Sequence, residues 1–295
     1  MRLQDSRKAD LTELAEAVVG LHAKDSELVD PKAILIAKGI GVHANHYPEN
    51  FDALLACRRG KFHVHLNLRK IDNDQSCPRA RFSLAHELGH FFIDEHRMQL
   101  LAGRKSHASS CGMFDGSDSI EEQEADHFAA NLLMPPSRFV PMADDHGSPL
   151  ETILFLRESF DVSLTATALQ YVQHVSDRAI VLRWRTDGSL AWTRPGVGYR
   201  ADGYRSTRFK TQGSLPDDSA TGRVMSGAES RAVGTLTMAS VFLNVALDGG
   251  RNTVVAEESI SLGSYGVLTI ISDYIEIETL SDRAKRRRAR NQSNI

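Results

Sequence analysis

The chain has 295 residues of which 41% are hydrophobic, enough for two modest packed domains or one large one and too apolar for bulk disorder. Its net charge of -3 leaves no global field to draw it to nucleic acid or a membrane surface, and no apolar run is long enough to span a bilayer. A secretory signal is not expected from a start that includes Arg2, Asp5, Arg7, Lys8 and Asp10, and three cysteines (Cys57, Cys77, Cys111) suit a reducing cytoplasm better than a disulfide framework.

Asp10 followed by Glu13 reads as a capping box, opening a helix with Leu11, Leu14, Ala15, Val18 and Val19 on one face. A short helix is expected from Pro31 to near Gly39. Two strand-like runs, 51–57 and 61–68, flank Arg58, Arg59 and Gly60. In the second run Phe62, Val64, Leu66 and Leu68 alternate with His63, His65 and Asn67, the pattern of a half-buried hairpin strand. Pro78 opens a helix predicted to reach about His96. Residues 102–119, rich in Gly and Ser, read as a loop. The helix that follows, about 120–133, is stopped by Pro135 and Pro136. Two shorter helices, 149–159 and 163–176, are shaped like a helix-turn-helix.

From Ala179 the texture changes to β-type runs, 179–185, 190–193, 253–262 and 265–279, between Gly-rich turns. Residues 281–295 hold six cations and almost nothing apolar, so a disordered basic tail is expected. The reading is an α+β protein: residues 1–134 a zincin-like domain, 135–177 a helical segment, 178–280 a β-rich domain and 281–295 the tail.

His86-Glu87-Leu88-Gly89-His90 is the zincin motif. Helical residues four apart share a face, so both imidazoles can reach one metal. Glu87 lies one position along, where a carboxylate can take a proton from an attacking water. Two imidazoles and a carboxylate suit Zn(2+).

The third ligand has several candidates. His96, six residues past His90, is where some zincins place a third histidine, but those have a glycine turn where this chain has Ile93. A continuous helix would carry His96 along the axis and off the metal face. Glu122 is the better candidate, because Asp126 lies four residues on and can hydrogen-bond a ligand histidine. Glu124 is the fallback and Glu121 the weaker one.

On Arg81–His90 and Glu122–Pro135 together, the sequence resembles the ImmA/IrrE metallopeptidases, over about 30–176. The resemblance implies His86, His90 and Glu122 as zinc ligands and Glu87 as the base. It implies a cytoplasmic endopeptidase whose substrate is a helix-turn-helix repressor. Cleavage would derepress genes in response to DNA damage, mobile elements or phage. In some relatives a GAF-like sensor stands where this chain has its C-terminal residues.

Cys111, in the loop between the two metal helices, is a candidate inhibitory zinc ligand. Strand 61–68 is a candidate substrate-binding edge; His63 and His65 are either part of its lining or, the commoner case, plain exposed strand histidines. The second of the paired helices carries no Arg or Lys, so packing rather than duplex reading is its expected role. Residues 178–210 interleave cations with aromatics. Arg183, Trp184, Arg185, Trp192 and Arg194 are the candidate contacts for single-stranded nucleic acid as an activator. A β-domain with core aromatics and solvated arginines is the open alternative. No membrane partner is expected.

Overall fold

The computed structural model describes residues 3–23, 28–71, 73–103, 107–109, 119–143, 147–175, 178–201, 218–237 and 254–273. They form two compact units, one of Met1–Phe139 with Glu158–Ser163 and one of Val140–Arg157 with Leu164–Ile295.

The first unit opens with α1 (Asp5–His22), which starts five residues before the expected capping box. Gln4 is its N-cap, so Asp10 and Glu13 lie inside the helix and the box does not form. The added turn carries Arg7, whose guanidinium binds Glu124, and Leu3 and Leu11 pack with Ile93. These distant partners outweigh the local cap signal. Helix α2 (Pro31–Ala37) is capped by the Asp30 carboxylate, which accepts from the Lys32 and Ala33 amides.

Strands β1 (Gly41–Asn45), β2 (Ala53–Arg58), β3 (Lys61–Asn67) and β4 (His107–Ser109) form one sheet in the order β1-β3-β2-β4. The expected hairpin is β2 and β3, antiparallel, turning on Arg59 and Gly60 with φ of 51° and 74°. Both turn residues having φ > 0 gives the twist that a two-residue hairpin needs. Strand β1 pairs in parallel with β3, from His43 opposite His65 to Asn45 opposite Asn67. This corrects the expectation of an edge at 61–68: β3 lies between two strands, and β1 and β4 are the edges. Ala53, Leu55, Val64 and Leu66 are buried on one face of the sheet.

Helix α3 (Pro78–Phe92) is shorter than expected. Ile93 is extended (φ -73°, ψ 113°), and a separate helix, α4 (Asp94–Leu101), begins after it. Helix α5 (Ile120–Leu133) packs on α3 and α1, burying Ala125, Phe128, Ala129, Leu132 and Leu133. Each such apolar side chain withdrawn from water contributes about 1.5–3 kcal/mol for the larger ones. Helix α6 (Pro136–Ala143) follows.

The second unit holds α7 (Pro149–Phe160) to its Arg157, and α8 (Leu164–His174). It also contains β5 (Ala179–Trp184), β6 (Leu190–Pro195), α9 (Val197–Ala201), α10 (Ala220–Met225), β7 (Arg231–Thr237), β8 (Val254–Ser261) and β9 (Val267–Asp273). Its sheet is antiparallel, in the order β6-β5-β9-β8-β7; β7, α9 and α10 had no clear signal in the sequence. Ile180, Leu182, Trp184, Val255, Val267 and Ile271 share one face and form a core with Tyr199, Ala220 and Val224 from α9 and α10.

The two helices expected to resemble a helix-turn-helix meet at Asp161, which takes φ of 48°. On α8, Thr167 and Gln170 are buried, so neither side chain is available to base edges. The expected basic tail lies outside the described residues. Among the described residues, no helix is long and apolar enough to cross a membrane.

Candidate metal centre

Helix α3 is set by its first turn. The Cys77 sulfur caps it, accepting from the Ala80 amide at 3.4 Å, and Pro78 supplies the fixed φ of a first helical position. Arg79 grips the fully buried Asp52 carboxylate with contacts of 2.9–3.1 Å, just before β2. Arg81 donates to the Val29 and Asp161 carbonyls, each at 2.9 Å. Bidentate guanidinium contacts of this kind fix orientation as well as depth. The helix presents a buried stretch from Phe82 to His90 that includes His86, Glu87 and His90.

On that stretch the two imidazoles turn their Nε2 atoms toward each other, 3.0 Å apart. From α5, Glu122 brings its carboxylate to 3.1 Å from His86 Nε2 and 3.4 Å from His90 Nε2. The three donors lie within 4.8 Å of one another and can hold a metal ion. Two ligands at 2.0–2.1 Å in a tetrahedral site stand about 3.3 Å apart, which these separations approach.

The charge around the donors suits a cation. Burial, the largest single influence on His86, opposes its protonation. Hydrogen bonds to Asp126 and Glu122, with the charges of Asp126 and Glu87, reverse that and push its pKa up to about 10. A buried imidazole held this strongly toward a positive charge marks a place where the surrounding carboxylates want a cation. A divalent ion held by His86, His90 and Glu122 would meet that demand with both imidazoles neutral.

Glu87 is fully buried, and its Oε2 accepts from the Leu55 amide at 2.8 Å. The β2 backbone thus anchors the carboxylate. Asp126 Oδ1 sits 2.8 Å from His86 Nδ1, the outer nitrogen of that ring. This is the contact expected of a carboxylate that orients a ligand histidine. Ser119 Oγ donates to Glu121, which the structure does not bring among the three donors.

His96 is where the sequence reading goes wrong. The break at Ile93 turns the chain, and His96 is buried with its Nδ1 3.1 Å from His90 Nδ1. Its Nε2 lies 2.9 Å from Glu124 Oε2. Glu124 in turn binds Arg7 at 2.8 Å and 3.1 Å. The signal that could have found this is Asp94-Glu95, an acidic first turn announcing a second helix.

Cys111 lies outside the described residues. His63 and His65 face away from the buried side of the sheet, near His43; His43 Nε2 is 3.2 Å from His63 Nδ1. The proposed nucleic-acid contacts are divided. Trp184 belongs to the core with 7% exposure and cannot stack on a base. Arg183 pairs across strands with Trp192, on the opposite face from Trp184, and the Arg194 guanidinium lies 5.6 Å from the Trp192 ring centre. Arg185 and Arg194 are exposed. Alternation along β5 is the reason: Ile180, Leu182 and Trp184 must face together.

Residues 70–170 match a family described as peptidase M78, IrrE N-terminal-like domain. No curated protein matches the chain. The structure is similar to that of a Mycobacterium tuberculosis transcriptional regulator, with a TM-score of 0.58, 14% sequence identity, and coverage of 90% of this chain and 76% of that one. At that identity the likeness speaks for the fold alone.

Proposed function

We propose, from the premise that residues 70–170 make this chain a member of the ImmA/IrrE family, that it is a zinc-dependent endopeptidase acting on a helix-turn-helix repressor. The observation that carries this reading is the convergence of His86, His90 and Glu122, with Glu87 buried beside them on α3.

In this reading His86 and His90 give their Nε2 atoms and Glu122 a carboxylate oxygen to the ion. When bound, zinc would supply Lewis acidity to the scissile carbonyl and to the attacking water. Glu87 takes the proton of that water and delivers it to the leaving amine. The Leu55 amide holds one Glu87 oxygen in place through both transfers. Asp126 keeps the His86 proton on Nδ1, so that Nε2 stays free to coordinate.

The second unit is the proposed sensor, a β-rich domain in the position of a GAF-like module. Single-stranded nucleic acid is its proposed activator, with DNA damage or phage and mobile-element stress as the physiological signal. The exposed Arg185 and Arg194 are the groups suited to phosphates. The rival reading, a DNA-binding regulator with a structural metal, is disfavoured by the burial of Thr167 and Gln170 on α8. It also gives no chemical role to the Glu87 carboxylate between the two histidines, beyond its bond to the Leu55 amide.

The test is incubation of the zinc-loaded protein with helix-turn-helix repressors from its own organism, with and without single-stranded DNA. One discrete cleavage in one of them, abolished in Glu87→Gln, is the expected result. Repressors left uncleaved under every condition, with zinc bound, would overturn the peptidase reading.

A further inference from the structure

The contacts behind His90 differ from those behind His86. His86 meets a carboxylate directly, at Asp126. His90 meets another imidazole, and only beyond that a carboxylate and a guanidinium: His90 Nδ1 to His96 Nδ1 at 3.1 Å, His96 Nε2 to Glu124 Oε2 at 2.9 Å, Glu124 to Arg7 at 2.8 Å. His90 is fully buried, His96 is 1% exposed and Glu124 is 7% exposed. The row therefore leads from the metal donors through protein interior to α1.

The positions of the protons follow from the chemistry. If His90 is to coordinate through Nε2 as a neutral ring, its single proton must sit on Nδ1. His96 Nδ1 must then accept it, which puts the proton of His96 on Nε2. That N–H points at Glu124, which accepts as a carboxylate balanced by Arg7. Each group has one arrangement open to it, and all four arrangements agree.

We propose that His96, Glu124 and Arg7 are positioning residues that hold His90 in its metal-binding tautomer and orientation, with His96 interposed between ligand and carboxylate. The proposal rests on the zinc reading of His86, His90 and Glu122. It explains why the chain breaks its helix at Ile93, a turn that brings His96 back beside His90. It also gives α1 a part in the site, through Arg7. Partners that orient ligand histidines typically change metal affinity about 10- to 100-fold when removed.

The test uses the full chain and zinc alone. Zinc affinity is measured by chelator competition for the native protein, His96→Leu, His96→Gln and Glu124→Gln, with melting curves to establish folding. His96→Leu, which removes both the acceptor and the donor, should bind zinc about 10- to 100-fold more weakly. His96→Gln, whose amide can accept from one side and donate to the other, should recover part of that loss. Glu124→Gln should fall between native and His96→Leu.

Two spectra separate positioning from coordination. Cobalt(II) in the site should give the same absorption band shape in His96→Gln as in the native protein. Ring nitrogen shifts of the zinc-loaded native protein should show His90 protonated at Nδ1. If His96→Leu does not fold, Glu124→Gln and the native ring shifts decide the matter. Native affinity in folded His96→Leu would overturn the proposal while leaving the metal site standing. So would a cobalt spectrum in folded His96→Gln that has lost a ligand, because His96 would then be a donor itself, and so would His90 protonated at Nε2. A native protein that binds no zinc would sink the metal reading and this proposal together.

Discussion

Gly89 on α3 and Ala125 on α5 lie in close contact: a Cβ on Gly89 would lie 3.0 Å from the Ala125 Cα and 3.2 Å from its carbonyl oxygen. Backbone cannot yield there as a side chain tip can, so any larger residue must push α5 away from α3. Glu122 and Asp126 ride on α5 and would move with it. Gly89→Val should therefore cost about 1–3 kcal/mol in stability, as overpacking does. It should also weaken zinc binding although residue 89 is no ligand. Melting and chelator competition measure the two effects, and an unchanged zinc affinity in folded Gly89→Val would show that α5 has slack.

His86→Ala and His90→Ala should each lose zinc, and Glu122→Ala should weaken its binding severely. Glu124→Ala should weaken it less, since that carboxylate acts from behind His96. The reverse order in metal analysis would transfer the ligand role from Glu122 to Glu124.

Glu87→Gln should keep both fold and zinc. Its amide oxygen can still accept from the Leu55 amide, the contact that anchors the native side chain. Peptide cleavage should nevertheless vanish, because an amide cannot take the proton of the attacking water. Cleavage by this variant at the native rate would rule out Glu87 as the base.

His127 ties α5 to α1, with its Nε2 3.0 Å from both Thr12 Oγ1 and the Lys8 carbonyl. Burial, chiefly, pushes its pKa down from 6.5 to about 4, with the Lys8 charge adding to this and the Lys8 carbonyl opposing it. Between those pH values the unfolded chain binds a proton that the folded one refuses. Its contribution is therefore complete above pH 6.5 and is lost as pH falls toward 4, by up to about 3 kcal/mol. His127→Gln keeps a donor for the Lys8 carbonyl and should flatten this acid limb in denaturant titrations. An identical pH profile in the variant would remove His127 from the account.

Trp184→Ala should destabilise the second unit by about 3–5 kcal/mol, as loss of a large core side chain does. Its effect on nucleic acid would report folding only. Arg185→Ala and Arg194→Ala should leave melting unchanged and lower the salt dependence of single-stranded DNA binding. Binding with the same salt slope in both variants would take phosphate contacts away from this region.

The shared face of His86 and His90 was legible because its signal is local: four residues along a helix is a geometric instruction that needs no tertiary context. The β2–β3 hairpin was legible for the same reason, with period-two alternation on both sides of Arg59-Gly60. The break at Ile93 was not. Ile93 reads as one more apolar residue in a helical run, and what sets it is packing with Leu3 and Leu11, far away in the sequence. The start of α1 failed likewise, since Arg7 is drawn into the helix by Glu124, on α5. Trp184 was misread through composition: counting aromatics near arginines ignored the parity of β5, which places Trp184 with Ile180 and Leu182.

Strand β8 carries two consecutive buried acids, Glu257 and Glu258, on opposite faces of the second sheet. Glu257 accepts from the Ala220 and Thr221 amides at 2.8 Å and 3.1 Å, where α10 begins. Glu258 accepts from the Ser148 hydroxyl and from the Leu150 amide in the first turn of α7. If β8 slid by one residue in one direction, Ser259 would stand where Glu258 belongs. In the other direction, Ala256 would stand where Glu257 belongs. Either slip strips one helix of its carboxylate, and the second also drives Glu258 into the buried place of Ser259. The adjacent pair thus works as an error check on assembly, admitting one alignment of the strand and penalising both of its neighbours.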